Sequence, residues 1–189
     1  MVFQTNRLWA KFIVNDDEES FYRMKSDETV TCNYFQKPLS YEVSRKKLQQ
    51  LIDFNKNEVA YTYAVFEKSS NKFIGTICLW NLEPDKNTGE IGYELLSEYQ
   101  RQGYMSEILP VFVRYMLDTY GYICFTACPD EENIPSNRLL IRSGFIFNGK
   151  IESSGHCLNN YVMSFADNFT TNCHEIAEEK SSKTFQRQL

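Results

Sequence analysis

The hexapeptide Gln100-Arg101-Gln102-Gly103-Tyr104-Met105 constrains this chain more than any other segment, because a glycine turn there ends a β-rich run and opens a long amphipathic helix. Gly103 can take a positive φ without steric cost and lets the backbone come close to a ligand. The first N–H groups of the helix that follows have no intrahelical acceptor and lie at the positive end of its dipole. Such a turn is a cradle for a phosphate. A second signal lies downstream in Asn133-Ile134-Pro135-Ser136-Asn137-Arg138, followed by Gly144-Phe145. There an Asn and a Ser three residues apart open a short helix that a glycine stops.

The periodicity around these segments predicts the rest of the fold. Leu8 to Val14 reads as a first strand, and Asp16-Asp17-Glu18-Glu19 as the acidic entry of a helix. Leu48, Leu51, Ile52 and Asn55 recur at helical spacing, which predicts a second helix over Ser40–Asn55 with Ser40 as its N-cap. Val59–Glu67 and Phe73–Leu82 are β-rich runs joined by Ser69-Ser70-Asn71-Lys72, a hairpin connection. A polar turn from Pro84 to Gly89 leads to Glu90–Leu96, whose alternation sets Ile91, Tyr93 and Leu95 on one face and Glu90, Gly92 and Glu94 on the other. The helix after the glycine turn runs to about Tyr120 and carries Leu109, Phe112, Val113, Met116 and Tyr120 as one apolar stripe. Pro110 is tolerated if that helix begins at Glu107 and should kink it if it begins at Tyr104. Tyr122–Cys128 reads as a buried strand, Pro135–Ser143 as a short helix, and Phe145–Ile151 and Tyr161–Phe165 as closing strands.

This order predicts an α/β layer structure: a mixed, largely antiparallel sheet of six to seven strands with helices on both faces. Residues 1–166 form one domain in this reading, and 167–189, polar and without periodicity, a flexible solvated tail.

Composition narrows the function. A chain of 189 residues with 42% hydrophobic content can bury roughly 70% of its unfolded surface, so it needs no staples. The net charge of −5 argues against nucleic-acid binding and suits, weakly, a cationic acceptor. No apolar run approaches the ~18 residues of a membrane span, and Met1-Val2-Phe3-Gln4-Thr5-Asn6-Arg7 does not read as a secretory signal. A cytoplasmic protein without membrane partners is the expectation. The six cysteines contain no CxxC pair and read as free thiols, and two histidines leave little for a metal site. His156, in Ser-Gly-His-Cys, reads as an exposed loop residue, and Asn168-Phe169-Thr170 as a chance glycosylation match. Tyr61, Tyr63, Phe66, Phe73 and Trp80 read as core and hairpin packing.

Gln100–Met105, the preceding Ile91-Gly92-Tyr93, the following Ser106-Glu107 and the Asn-x-x-Ser helix together resemble the cofactor-binding core of the GNAT superfamily of N-acetyltransferases, nearest to the branch of ribosomal-protein N-terminal (RimJ/RimL-type) acetyltransferases. The likeness covers about Thr5 to Phe165 and implies acetyl-coenzyme A as co-substrate, with no metal. The loop matches the superfamily's Q/R-x-x-G-x-G/A pattern at its first and fourth positions and departs at the sixth, where Met105 replaces a small residue. The resemblance assigns the pyrophosphate to the backbone of Gln100, Arg101, Gln102, Gly103, Tyr104, Met105 and Ser106, with a charge-assisted contact from Arg101. It assigns Asn133 to the pantetheine arm, places Arg138 on the same cofactor helix, and puts Ser136 near the sulfur, where its hydroxyl stabilises the leaving thiolate. The N–H of Leu95 or Leu96 would polarise the thioester carbonyl, and Glu90, or less directly Glu94, would accept the proton of the attacking ammonium. Trp9, Tyr34 and Phe35 fall where the branch builds its acceptor pocket.

The expected activity is transfer of an acetyl group to a primary amine, foremost a protein or peptide N-terminus, by direct attack in a ternary complex; the protein would act as a monomer or homodimer. Two alternatives stay open: acetylation of a small amine such as a polyamine or aminoglycoside, and a non-catalytic coenzyme A-binding module. An acceptor cleft lined by many carboxylates would favour the small amine.

Overall fold

Alternation along the central strands sorts side chains into two cores. In the computed structural model, which describes residues 2–34, 36–153 and 155–166, β1 (Phe3–Gln4), β2 (Leu8–Phe12), β3 (Tyr61–Glu67), β4 (Phe73–Glu83) and β5 (Thr88–Leu95) pair antiparallel in sequence order. β5 then pairs parallel with β6 (Cys124–Ala127), and β8 (His156–Ser164) lies between β6 and the edge strand β7 (Ile146–Ser153). The sheet thus has eight strands among the described residues, in the order β1-β2-β3-β4-β5-β6-β8-β7.

On one face, Tyr63, Val65, Ile77 and Leu79 pack with Ile108, Leu109, Phe112, Val113 and Met116 of α4 (Tyr104–Tyr120) and Leu140 of α5 (Ile134–Arg142). On the other, Ala64, Phe66 and Phe73 meet Phe21 and Met24 of α1 (Glu18–Lys25), Val30 of α2 (Glu28–Thr31), and Leu48, Leu51 and Ile52 of α3 (Tyr41–Lys56). Each fully buried apolar side chain contributes about 1.5–3 kcal/mol, so these two faces carry the fold. Ser40 caps α3 as expected, accepting from the Val43 N–H.

Several details differ from the sequence reading. β1, with two residues, is too short to leave a periodic trace and brings the sheet to eight strands among the described residues; α2, a helix of four, is as short and was likewise not foreseen. His156 opens β8, paired with Ser153 and half-buried, rather than sitting in an exposed loop. α4 begins at Tyr104, so Pro110 lies inside it, yet the helix runs unbroken to Tyr120. Pro110 and Ser106, whose carbonyl loses its intrahelical donor, both face solvent, where water can take the missing bond. The tail at 167–189, with Asn168, Cys173 and His174, lies outside the described residues.

Candidate active site

The parallel pairing of β5 with β6 lasts for only three residues, Thr88–Glu90 against Cys124–Thr126. Beyond Glu90 the two strands part, and the opening between them is lined by Glu90, Gly92, Tyr93 and Glu94 on one side and Ala127, Cys128 and Pro129 on the other. The Leu96 N–H donates to the Ile74 carbonyl across the β4 ladder (2.9 Å). Because successive strand N–H groups point to opposite edges, the Leu95 N–H faces the open side. That narrows the expected donor to Leu95; Leu96, whose N–H is already used, does not serve.

Two cavities meet in this opening. The larger, about 440 Å³, runs from Leu95 past Gln100, Arg101, Gly103, Tyr104, Met105 and Ser106 to Asn133, Ser136 and Leu139. Its floor is the glycine turn. Gly103 has φ 77° and Arg101 φ 60°, and no side chain caps α4, so the N–H groups of Tyr104, Met105 and Ser106 are left to a ligand. Gln100 ties the turn to the strand, donating from Nε2 to the Leu95 carbonyl at 3.0 Å. Arg7 ties it to the N-terminal hairpin: Nε pairs with Glu107 at 2.6 Å, Nη1 donates to the Gln102 carbonyl at 3.2 Å, and the guanidinium lies 4.5 Å from the centre of the Tyr104 ring. Met105, the departure from the family pattern, is buried in the main core beneath the loop, which accommodates its size. This cavity suits an extended, phosphate-bearing chain such as coenzyme A, with anionic groups at the helix N-terminus.

The smaller cavity, about 140 Å³, is lined by Thr76, Cys78 and Trp80 of β4, and by Glu90 and Gly92, which face Trp80 and Cys78 across the ladder. Gly92 keeps it open, since a Cβ there would stand 2.9 Å from Cys78 Sγ. Glu90 is 7% exposed and, among the described residues, its carboxylate has no ion-pair partner. Glu94 by contrast is engaged by the buried Lys25, so it is not a spare base. Burial pushes the Cys78 thiol up to about 12, which keeps it protonated and inert at neutral pH.

The cavities join at Asn33, Tyr93, Glu94, Asn133 and Ser136. Asn133 Oδ1 accepts from the Ser136 N–H (3.2 Å) and so sets the first turn of α5. The Tyr93 hydroxyl stands 2.6 Å from Ser136 Oγ, and burial pushes the phenol up to about 12, against the lowering effect of the Ser136 bond. Tyr93 was missed because alternation only placed it on one face with Ile91 and Leu95; the parting of β5 from β6 brings its hydroxyl into the opening.

Other expected positions fall elsewhere. Gln102 and Arg138 are exposed and line neither cavity; Gln102 instead donates from Nε2 to the Glu98 carbonyl at 2.6 Å. Trp9 stacks on Phe66, with ring centres 4.2 Å apart, and packs the second core instead of an acceptor pocket. The expectations at Phe35 and at the Tyr34 side chain lie outside what is described, and Asn33 and Gln36 line the cavity from that segment. Trp80 lines the small cavity, whereas Tyr61, Tyr63, Phe66 and Phe73 are core as expected.

The family profile described as "Acetyltransferase (GNAT) domain" matches residues 7–146. The chain is 26% identical over 180 residues to the uncharacterized N-acetyltransferase YoaA of Bacillus subtilis (strain 168), covering 95% of this chain and 98% of that one. It is 28% identical over 124 residues to the ribosomal-protein-serine acetyltransferase of Escherichia coli (strain K12), covering 66% and 68% of the two chains. Among solved structures, the acetyltransferase of Salmonella typhimurium that modifies the N-terminal serine of ribosomal protein L7/L12 superposes with a TM-score of 0.79 at 21% identity, covering 87% of this chain and 99% of that one. The spermidine N-acetyltransferase of Vibrio cholerae superposes with 0.75 at 12% identity, covering 84% and 95%. At these identities the two structures speak for the fold alone.

Proposed function

We propose, for a chain that belongs to the GNAT family and is an acetyl-coenzyme A-dependent N-acetyltransferase, that the acceptor is the α-amine of a protein or peptide N-terminus. The observation that carries this reading is the charge of the acceptor cavity. Of its two carboxylates, Glu94 is neutralised by Lys25 and only Glu90 is left for an ammonium. One carboxylate suits one cationic amine. A polyamine brings two or more and would meet Lys25 beside them. The relative that acts on ribosomal-protein serine points the same way.

Acetyl-coenzyme A, held in the larger cavity, supplies an electrophilic thioester carbonyl and a thiolate leaving group. The residues of this chain supply the rest. The N–H groups of Tyr104 to Ser106 and the Arg101 side chain hold anionic phosphates, and Asn133 orients the approach to Ser136. The Leu95 N–H donates to the carbonyl oxygen where negative charge develops. Glu90 accepts the ammonium proton, directly or through water, and the Ser136 hydroxyl, held by Tyr93, donates to the departing sulfur. Direct attack in a ternary complex belongs to the same reading: Cys124 is buried in β6, Cys78 lacks thiolate character, and Cys128, which is half-buried in the cavity wall and not in a buried run, donates its thiol to Asn160 Oδ1 at 3.7 Å. A cytoplasmic location belongs to the same reading, as does action as a monomer or homodimer.

The test is acetylation of a panel of seryl and alanyl peptides, N-blocked lysyl peptides, spermidine and an aminoglycoside, with the modified amine located by mass spectrometry. Acetyl groups on peptide α-amines are expected. Turnover confined to spermidine or the aminoglycoside overturns the acceptor assignment, and cofactor binding without turnover of any amine would reduce the protein to a binding module.

A further inference from the structure

The glycine that makes the cofactor turn possible also leaves it ambiguous. The peptide joining Gln102 to Gly103 can turn over by rotation about the bonds on either side of it, and glycine accepts both results because it populates both signs of φ. In one orientation the Gly103 N–H faces the larger cavity and joins a concave set of donors that suits an anion. In the other the Gln102 carbonyl oxygen faces it, and a phosphate would meet the negative end of a dipole.

The choice is made from outside the turn. Arg7, between β1 and β2, is anchored by Glu107: Nε meets Oε2 at 2.6 Å, and the backbone N–H donates to Oε1 at 2.8 Å. Its guanidinium lies 4.5 Å from the centre of the Tyr104 ring, and Tyr104 is itself fixed by donating its hydroxyl to Glu67 at 2.5 Å. So held, Arg7 Nη1 donates to the Gln102 carbonyl at 3.2 Å. The described peptide bonds are all trans, so the N–H of this peptide points away from its C=O. With the oxygen drawn to Arg7, the Gly103 N–H is turned the opposite way. Gly103 lines the larger cavity, whereas Arg7 and Gln102 stand outside it. The Gln102 side chain is also tied back, to the Glu98 carbonyl.

We propose that Arg7 is a positioning residue for the cofactor: by holding the Gln102 carbonyl outside the cavity, it presents the Gly103 N–H, beside those of Tyr104 to Ser106, to the pyrophosphate of coenzyme A. This rests on the cofactor reading of the larger cavity given above. The binding-competent turn is selected before the ligand arrives, so no binding energy is spent in turning the peptide over. Without Arg7 the two orientations compete, and affinity falls by the fraction of molecules that keep the competent one.

Gln102-Gly103 is the only Gln-Gly pair in the sequence, so protein labelled with carbonyl-13C glutamine and 15N glycine gives one amide signal from this peptide. In the parent that signal should move downfield when coenzyme A is added, as an N–H does on meeting an anionic oxygen. In Arg7→Met it should be displaced even without ligand while the other glycine amides keep their positions, and Kd for coenzyme A, by titration calorimetry, should rise about tenfold. Arg7→Lys keeps the charge but not the fork that reaches Glu107 and Gln102 together, so its Kd should lie between the two; it carries the test if Arg7→Met fails to fold. A parent signal that ignores bound coenzyme A overturns the proposal, as does a folded Arg7 variant whose Kd stays within about twofold of the parent. Displacement spread over all the glycine amides also overturns it, since that marks a general loosening of the fold. Coenzyme A binding that survives Gly103→Glu unchanged overturns this proposal together with the cofactor reading.

Discussion

The hydroxyls of Tyr93 and Ser136 lie 2.6 Å apart where the larger and the smaller cavity join, one carried by a strand and the other by the first turn of a helix 43 residues away. With its phenol pushed up to about 12, Tyr93 stays a neutral donor across the physiological range and can fix which way the Ser136 hydroxyl points. A hydrogen bond that strengthens as thiolate charge develops acts on the transition state. Ser136→Ala is therefore expected to lower kcat about 10- to 100-fold with little change in coenzyme A affinity, and Tyr93→Phe to lower kcat by a smaller factor. Titration calorimetry with coenzyme A alongside steady-state kinetics checks this. Equal losses in affinity and turnover would leave Ser136 only a structural role.

The glycine turn makes a sharper demand on binding than on catalysis. At φ 77° a side chain at position 103 strains the backbone, even though a Cβ would meet only Arg7 Nη2, at 3.6 Å. Gly103→Glu adds a like charge to that strain at the point where phosphates are to sit, and should weaken coenzyme A binding by more than tenfold. Near-wild-type affinity in a folded variant would remove the turn from the cofactor site.

Glu90→Gln tests the base. Deprotonating an α-amine near pKa ~8 at pH 7 costs about 1.4 kcal/mol, against about 4.6 for a lysine side chain. With a peptide N-terminus as acceptor, the variant should lose rate chiefly below about pH 8 and recover as the acceptor deprotonates in solution. A pH–rate profile parallel to that of the parent would take Glu90 out of the mechanism.

The Lys25–Glu94 pair is expected to matter for stability as well as selectivity. Both partners are largely buried, and Glu94 Oε2 already lacks a hydrogen bond among the described residues. Lys25→Met leaves that carboxylate without its cation, at a cost of about 3–5 kcal/mol. Denaturant unfolding should show most of that loss in Lys25→Met and little in the double variant Lys25→Met/Glu94→Leu.

Glu107 links the cofactor loop to the N-terminal hairpin and should make it acid-sensitive. Burial raises its pKa, but the hydrogen bonds from Thr5 and Arg7, with the charge of Arg7, outweigh this and hold the carboxyl below its usual value of 4.5. A lowered folded-state pKa contributes stability that is present above the unfolded value and lost as pH falls through the folded one. Thermal unfolding between pH 3 and 7 should therefore show a steeper acid-side decline in the parent than in Glu107→Gln.

The sequence by itself determined the layer order and the glycine turn, because both rest on local rules: period two in Glu90–Leu96, period near 3.6 across Leu109–Met116, and a glycine at a helix start, which the structure holds at φ 77°. Asn133 and Ser136 were legible for the same reason, being a helix entry. Charge and pairing across distance were not. The net −5 suggested a cationic acceptor, but the charge in the opening depends on Glu90 and Glu94 of β5 and on Lys25 of α1, which meets Glu94 from 69 residues away. The choice between Leu95 and Leu96 as donor waited on the register with Ile74. Tyr93 entered the site only because β5 and β6 part after Glu90. Alternation states which face a side chain takes; whether that face meets a core or a cleft is decided by where a neighbouring strand stops.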